Sequence, residues 1–208
     1  AAVVDLERAL GARFTLVPQN VDGLHLVAGS SPERTLQVHG NLHWMRCARE
    51  CTGGLAPVPE EFGPRPGGEP LTESESAGLR CAACSGWMRP HVLWFDEYYD
   101  EERYRFQSAL RAASEAGLLL VVGTSGATNL PMQMAQLAAA RGAALVDVDP
   151  EPNPVAELAR NSRAGCVVPG RAGEALPGVV ARCIEILGAP AHRSPAARQP
   201  PNEGLPGG

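Results

Sequence analysis

The second half of the chain alternates short apolar runs with longer segments in which apolar residues recur every three or four positions. The runs predict strands and the periodic segments predict helices, in regular succession. The predicted strands span 118–122, 143–148 and 166–168, and the predicted helices span about 130–141, 154–160 and 173–187. Strands made of continuous Val and Leu runs, separated by helices, are typical of a parallel sheet. The pattern therefore predicts an α/β, Rossmann-like fold with helices on both faces of the sheet.

The first half of the chain has a weaker pattern. Apolar residues on one face of 1–10 predict a helix with Gly11 as its C-cap, and 13–17 predicts a short strand before Pro18. The opening has neither an initiator methionine nor a residue that would cap a helix N-terminus. We therefore expect that the chain enters this helix partway and that an upstream segment has been lost.

Between the two halves the pattern is mostly irregular. The stretch 56–76 is rich in Pro, Gly and Glu and shows no periodicity, which predicts a loop. A compact apolar run at 91–95 predicts a strand, and the composition of 101–115 favours a helix. The last stretch, 188–208, is rich in Pro and Gly and lacks core-forming residues, which predicts a disordered tail.

Length, charge and hydropathy narrow the class of protein. A chain of 208 residues supports one main domain with a small satellite. The net charge of -5 argues against a nucleic acid partner, which requires a basic surface. No apolar run approaches the roughly 20 residues that cross a bilayer, and no charged-then-apolar leader opens the chain. We therefore expect a cytoplasmic protein without a membrane partner.

Four cysteines form two close pairs. Cys47 and Cys51 have three residues between them, and Cys81 and Cys84, which follow after 29 intervening residues, have two. Two such pairs joined by a polar loop can supply four thiolates to a tetrahedral structural zinc site. Buried thiols are the alternative, but the flanking residues are polar and turn-like. With four protein ligands the metal has no open position for a substrate, so the zinc is expected to stabilise a small domain.

The remaining cysteines and two histidines are set apart from this metal site. Cys166 and Cys183 stand singly in apolar periodic segments, which predicts core positions. His39 and His43 have the spacing of a helical metal pair, but zinc already has four better ligands. A lone histidine such as His39 is more often structural than catalytic.

Polar turns follow two of the predicted strands. Gly123-Thr124-Ser125 ends one, and Asp149 and Glu151 end the next. A small-residue turn followed by an acid at the next strand end is typical of dinucleotide sites, where backbone approaches phosphate and a carboxylate binds ribose. The glycine pattern G-x-G-x-x-G is not present.

A third polar turn, Pro18 to His25, follows the predicted strand at 13–17. Ligands of doubly wound sheets bind beyond the carboxyl ends of strands, so Gln19, Asn20 and Asp22 are candidate ligand contacts. Asn-x-Asp-Gly is also ordinary turn chemistry, and both interpretations remain open.

Taken in order, the motifs of residues 1–187 resemble those of the sirtuin (Sir2) family. The matching motifs are Gln19-Asn20-Val21-Asp22-Gly23-Leu24-His25, His39-Gly40-Asn41, the two cysteine pairs, Arg89-Pro90-His91-Val92-Leu93-Trp94-Phe95-Asp96-Glu97, Gly123-Thr124-Ser125, Asp149-Pro150-Glu151-Pro152 and Gly170-Arg171-Ala172. Each motif is modest alone, but seven in the family's order make a chance resemblance very improbable.

The chain also departs from the family pattern. Sirtuins usually begin with a glycine-rich G-A-G-x-S turn followed by G-I-P-D-F-R, and nothing here corresponds to it. Pro18 replaces the usual Thr, Asp96 the usual Gly and Asp149 the usual Asn, and the first cysteine pair has one extra intervening residue.

The resemblance implies an NAD-dependent protein deacylase that consumes NAD as a co-substrate and holds structural zinc. In the family mechanism the acyl-lysine carbonyl oxygen attacks C1′ of the nicotinamide ribose, nicotinamide leaves, and a histidine, here His39, deprotonates a ribose hydroxyl. The products are free lysine and O-acyl-ADP-ribose. Two other classes remain open: a non-catalytic remnant or scaffold, and an NAD-hydrolysing module without peptide activity.

The resemblance also implies ligand contacts and domain bounds. The main domain would comprise 1–38 and 90–187, with the zinc-binding domain at 39–89. The implied NAD contacts are Asn20 and Asp22 at the carboxamide, Gln19 at the ribose, and Gly123, Thr124, Ser125, Asp149, Glu151 and Ala172 along the remainder of the dinucleotide. The implied contacts of the acylated peptide, which would pair as an added strand with 92–97, are Val92, Phe95, Asp96 and Glu97.

Overall fold

The computed structural model describes residues 2–51, 54–60, 62, 68–126 and 128–187. The helices are α1 Ala2–Leu10, α2 Leu24–Val27, α3 Glu73–Gly78, α4 Glu101–Tyr104, α5 Phe106–Glu115, α6 Asn129–Ala140, α7 Pro154–Asn161 and α8 Ala172–Leu187. The strands are β1 Gly40–Cys47, β2 Ala56–Pro57, β3 Met88–Val92, β4 Leu118–Val122, β5 Ala144–Asp149 and β6 Gly165–Pro169. Short 3₁₀ turns occupy Gly11–Arg13 and Pro32–Arg34.

The predicted Rossmann-like sheet is confirmed. Strands β4, β5 and β6 are parallel neighbours in that order, and α6 and α7 connect them. Leu118 and Leu120 pack in a cluster with residues of α1 and α8, whereas Leu119 packs with residues of α6 and α7. Because successive side chains of a strand point to opposite faces, helices cover both faces of β4.

A buried ion pair joins α1 to the segment that leads to β1. The Glu7 carboxylate accepts hydrogen bonds from the Ser31 backbone N–H and from Arg34 Nε, both at 3.0 Å. Glu7 is only 3% exposed, so loss of Arg34 would leave the Glu7 carboxylate with no counter-charge and little access to water. The pair fixes the chain a few residues before His39.

The second sheet is antiparallel, with strand order β2-β1-β3. Gly40, the first residue of β1, has φ +86°, and a Cβ there would lie 2.0 Å from the His91 carbonyl oxygen. A glycine is therefore required beside His39, because any side chain would push β1 away from β3. The division into domains at 39–89 remains a prediction.

The prediction of a loop at 56–76 was partly wrong. It contains β2 and the start of α3, which begins with a capping box: the Thr72 hydroxyl accepts from the Glu75 N–H while the Glu75 carboxylate accepts from the Thr72 N–H. The Thr-x-x-Glu spacing is a helix-start signal, and it was missed because no apolar period follows.

Two strand predictions were wrong in position. The 3₁₀ turn Gly11–Arg13 occupies the start of the stretch 13–17, Leu16 makes a single bridge with Thr35, and Pro18 has no N–H with which to extend that bridge into a strand. The strand predicted at 91–95 instead ends at Val92. The Trp94 N–H donates to the Glu97 carboxylate rather than to a neighbouring strand, so the chain turns there.

The predicted helix at 101–115 is interrupted at Arg105, which has φ +53°. The Asp100 carboxylate caps α4, and the Glu101 carboxylate accepts from the Ser108 N–H at 2.9 Å, which caps the first turn of α5. Two competing caps thus produce two helices in place of one. The predicted tail at 188–208 lies outside the described residues.

Within the described ranges, the longest helix, α8, has 16 residues, and no helix combines the length and apolar character that crossing a bilayer requires.

Candidate active site and metal centre

The four paired cysteines converge at the end of β1. Their Sγ atoms lie within 4.8 Å of one another, with separations of 3.6 Å for Cys47–Cys84, 3.4 Å for Cys47–Cys51 and 3.5 Å for Cys51–Cys81. A zinc ion with Zn–S bonds of about 2.3 Å holds its four sulfurs about 3.8 Å apart. The cluster therefore fits a closed, four-thiolate structural zinc site, as the sequence predicts.

Backbone N–H groups prepare this cluster for negative charge. N–H groups of Cys51 and Arg49 donate to Cys47 Sγ and lower the pKa of that thiol to about 6. In contrast, the pKa of Cys51 is raised, first because of its hydrogen bond with the Cys84 sulfur. Without a metal the four sulfurs cannot all be thiolates at neutral pH, whereas a zinc ion deprotonates coordinating thiols outright.

Of the two cysteines assigned to the core, one was placed wrongly. Cys183 is buried on α8, as predicted, but Cys166 is exposed. Cys166 lies near the start of β6, an edge strand whose first two residues are left uncovered by the helices. The ring nitrogens of His39 and His43 have separate hydrogen-bond partners.

The predicted dinucleotide contacts lie at the carboxyl edge of the parallel sheet. The Gly123 N–H donates to the Val148 carbonyl at 3.0 Å, and the Gly170 N–H donates to the Asp149 carbonyl at 3.2 Å. The Asp149 carboxylate caps the next turn by accepting from the Glu151 N–H at 2.9 Å. The ends of three neighbouring strands thus form one polar edge, which also includes the remaining predicted contacts at this end, Thr124, Ser125 and Ala172.

Gln19 connects this edge to the turn that precedes α2. Its side-chain amide N–H donates to the Thr124 hydroxyl, and its Oε1 accepts from the Thr128 hydroxyl at 3.1 Å. Thr124 is 6% exposed, so this contact lies at the inner end of the edge. The structure thereby joins two predicted cofactor segments that are about a hundred residues apart in sequence.

His39 lies on the other side of Gln19. Its Nδ1 is 2.8 Å from the Gln19 backbone carbonyl, and its Nε2 is 2.8 Å from the Tyr99 hydroxyl. The imidazole is therefore held at both nitrogens, next to the residue that contacts the sheet edge. This geometry suits a group that accepts and releases a proton in a fixed position.

The turn containing Asn20 and Asp22 is held by β1. The Asp22 carboxylate accepts from the Leu24 N–H at 3.0 Å, and its backbone carbonyl lies 3.1 Å from His43 Nε2. Gly23 has φ +69°, and a Cβ there would lie 2.9 Å from the His43 ring. The structure agrees with both interpretations of this turn, as ordinary turn chemistry and as a ligand contact. Hydrogen bonds of Asp22 shape the turn, and the turn places exposed Asn20 beside the Gln19–His39 contact.

Glu97 is the centre of a charged network that shapes the predicted peptide segment. Its carboxylate accepts from the Arg89 guanidinium, from Arg46 Nη2 at 3.0 Å and from the Trp94 N–H at 2.9 Å. Arg89 also donates to the Val92 carbonyl at 2.9 Å, and its guanidinium lies 3.6 Å from the centre of the Trp94 ring. The segment 92–97 is therefore a fixed turn, with Phe95 fully exposed.

The network continues towards the metal cluster around a cavity of about 290 Å³. Arg46, which precedes Cys47, pairs with Glu50 at 2.6 Å, and Glu50 pairs with Arg103 at 3.2 Å. The other lining residues are Asp96, Glu97, Tyr98, Asp100 and Tyr104. A chain of ion pairs thus connects the cysteine cluster with the 92–97 turn.

The hydrogen bonds that Glu97 accepts from Arg89, together with the one from the Trp94 N–H, lower the pKa of Glu97 from an ordinary 4.5 to about 2. A carboxyl group whose pKa is lowered on folding stabilises the folded state above its unfolded pKa. That stabilisation is lost as the pH falls from about 4.5 towards 2.

Replacing Glu97 with glutamine should lower the free energy of unfolding near neutral pH by roughly 2–4 kcal/mol, because the largely buried Arg89 guanidinium loses its carboxylate partner and Arg46 keeps only Glu50. Since glutamine does not titrate, the difference from the wild-type chain should shrink as the pH is lowered below about 4.5. Urea unfolding at several pH values measures it, with Glu102→Gln at an exposed position as the control. A difference that does not change with pH would contradict the assignment.

Sequence reasoning missed three residues of this region. In the sequence, Arg46 is only a polar neighbour of Cys47, Arg89 belongs to a motif without an implied role of its own, and Tyr99 lies outside the motifs. The separation of Arg89 and Glu97 by eight positions becomes informative only once the intervening chain is known to turn.

Comparison with known proteins identifies the family. A family profile described as the Sir2 family matches residues 1–129. The NAD-dependent protein deacylase of Thermus thermophilus is 42% identical over 170 residues, covering 80% of this chain and 59% of that protein. The NAD-dependent protein deacylase 1 of Pseudomonas aeruginosa is 40% identical over 173 residues, covering 83% and 63%. The chain belongs to the Sir2 family, and it spans about three fifths of the length of these curated relatives.

Solved structures agree with this assignment. A Sir2 homologue in complex with NAD superposes with a TM-score of 0.70 at 26% identity, over 90% of this chain and 64% of that one. The protein Sir2Af2 bound to a myristoylated histone peptide gives a TM-score of 0.65 at 26% identity, over 89% and 70%. The fold is therefore that of Sir2 proteins.

Proposed function

We propose that the full-length product of this gene removes acetyl or other acyl groups from protein lysines at the expense of NAD, giving nicotinamide and O-acyl-ADP-ribose. The observation that carries the proposal is the hydrogen-bonded path from His39 through Gln19 to Thr124. It connects a histidine able to act as a base with a sheet edge of dinucleotide-binding character. The relatives named NAD-dependent protein deacylase and the NAD complex of a Sir2 homologue support it.

The polar groups at the sheet edge fit the chemistry of a dinucleotide. Gly123 has φ +60° with open space where a side chain would stand, which suits the close approach of a phosphate or ribose. The Asp149 carboxylate at the end of β5 suits ribose hydroxyls. Glu151 and Ala172 complete the edge at this end.

When bound, NAD supplies an activated ribose carbon and nicotinamide as the leaving group. The chain's own part is orientation and proton transfer. Asn20 and Asp22 would orient the carboxamide, Gln19 would contact the ribose, and His39 Nε2 would accept the proton of a ribose hydroxyl. The Gln19 carbonyl fixes the ring that performs this step.

The acylated peptide would bind along residues 92–97. The Leu93 N–H donates to the His39 carbonyl at 3.0 Å, so this segment leaves the sheet directly beside the proposed base. Val92 offers backbone groups at the strand end, and exposed Phe95 with Asp96 offers side-chain contacts. Recognition through backbone groups would accept many peptide sequences. The histone-peptide complex of Sir2Af2 supports a protein substrate.

The test measures nicotinamide and deacylated peptide from the full-length gene product, with and without an acetyl-lysine peptide. Equal amounts of both products, each requiring NAD and peptide together, are expected. Nicotinamide release that does not depend on peptide would identify an NAD-hydrolysing module instead. Absence of both products, with folding and zinc content intact, would identify a non-catalytic scaffold.

A further inference from the structure

The hydrogen-bond partners of His39 define which of its nitrogens carries the proton. The Gln19 backbone carbonyl, 2.8 Å from Nδ1, can only accept a hydrogen bond, so Nδ1 carries hydrogen when the ring is neutral. Nε2 then bears the lone pair, and the Tyr99 hydroxyl at 2.8 Å donates to it. Thus the nitrogen that would act as the base already has a hydroxyl bound to it.

Tyr99 is itself firmly placed. Its ring stacks on His39, with centroids 5.9 Å apart, and on Phe106, with centroids 5.3 Å apart. It also packs against the core cluster that contains Leu36 and Val38. Burial raises the pKa of the Tyr99 phenol, so the group remains a neutral donor. The hydroxyl is therefore delivered to Nε2 by packing that does not depend on the hydrogen bond.

We propose that Tyr99 is a positioning residue for His39: its hydroxyl holds Nε2 as the accepting nitrogen in the resting site and accepts from Nε2–H once the histidine is protonated. The proposal rests on the proposed function and extends it to a residue that lies outside every motif identified in the sequence.

The proton transfers of this role need no group beyond a ribose hydroxyl, His39 and Tyr99. A ribose hydroxyl that reaches Nε2 would replace the Tyr99 O–H as its donor and would give its proton to the ring while its oxygen bonds to the carbon of the acyl group. The new Nε2–H can then donate to the Tyr99 oxygen, whose O–H rotates away. A phenol can serve both protonation states because it is donor and acceptor at once, which neither Leu nor Phe at this position could be.

The test replaces Tyr99 with phenylalanine, which keeps both ring contacts and removes only the hydroxyl. Tyr98→Phe is the matched control, because the adjacent Tyr98 is 90% exposed. In the full-length product, kcat for peptide deacylation should fall roughly 10- to 100-fold in Tyr99→Phe, with the KM for NAD within about threefold of the wild type. The control should keep the wild-type kcat.

A second measurement separates this proposal from the proposed function. In ¹⁵N NMR spectra of the 208-residue chain, the unprotonated ring nitrogen of His39 should move downfield in Tyr99→Phe, because it loses its hydrogen-bond donor. An unchanged His39 spectrum would overturn the positioning role, whether or not the protein is a deacylase. A lowered melting temperature with unchanged kcat would also overturn it, because it would show that the hydroxyl acts only in packing. If the wild type proves inactive, the proposed function fails and the spectrum still decides this contact.

Discussion

Replacing Cys81 with serine should abolish zinc binding and unfold the region around β1 and β3. A hydroxyl is a much weaker zinc ligand than a thiolate, and three remaining thiols would leave the tetrahedron open. Structural zinc contributes about 10–16 kcal/mol in small zinc domains. The measurement is elemental analysis of protein prepared without chelator, expected to give a single zinc ion per wild-type chain and almost none in the variant.

Two cysteines outside the cluster provide the controls. Cys166→Ser and Cys183→Ser should retain the wild-type zinc content, since neither side chain belongs to the four-sulfur cluster. Cys183→Ser should lower stability alone, because a hydroxyl replaces a buried thiol. A wild-type chain free of zinc, or a Cys81→Ser chain that keeps it, would refute the metal assignment.

Replacing His39 with alanine in the full-length product should reduce deacylation by at least roughly 10²-fold, because removal of a general base acts on the chemical step. Zinc content and cooperative unfolding should persist, since the cysteine cluster makes no contact with this ring. Peptide deacylation rates together with elemental analysis provide the measurement.

His25→Ala is the control for this prediction, as His25 lies on the neighbouring short helix α2 and has no role in the proposed mechanism. It should retain the wild-type rate. Near-normal turnover by His39→Ala would remove His39 from the mechanism, and a comparable loss in both variants would point to general damage of the turn at 19–25.

The parallel sheet was predictable because its strands are short apolar runs that alternate with helices along the chain, a pattern typical of parallel sheets. Leu118–Val122 reads as a strand for this reason alone, and the structure confirms it. The strand predicted at 13–17 did not form, because only Leu16 pairs with a neighbouring segment, through a single bridge. A local pattern of apolar residues does not report whether a neighbouring strand is available for pairing. The helix break at Arg105 reflects competition between two carboxylate caps, which a periodicity search does not weigh.

The candidate active site and metal centre were also predictable only in part. The cysteine cluster was predictable, since two close pairs of cysteines are typical of metal ligands, and the structure brings the four sulfurs together. The roles of His39, Gln19 and Asp149 came from resemblance to a family and remain predictions, although the structure brings these residues to adjoining positions. Tyr99 could not be found from sequence, because its importance arises from a contact across sixty residues that depends on the turn at 92–97.

The two cysteine pairs enclose a segment of 29 residues. The pairing of β1 with β3 and the sulfur cluster both bring the two ends of this segment together. A closed loop resists lengthening only weakly: doubling its length costs about 0.6 kcal/mol. Residues can therefore be added or removed between Cys51 and Cys81, outside β2 and α3, with little expected effect on the remainder of the fold. For the same reason, this interval is the natural place to insert a fluorescent or affinity tag without disturbing His39.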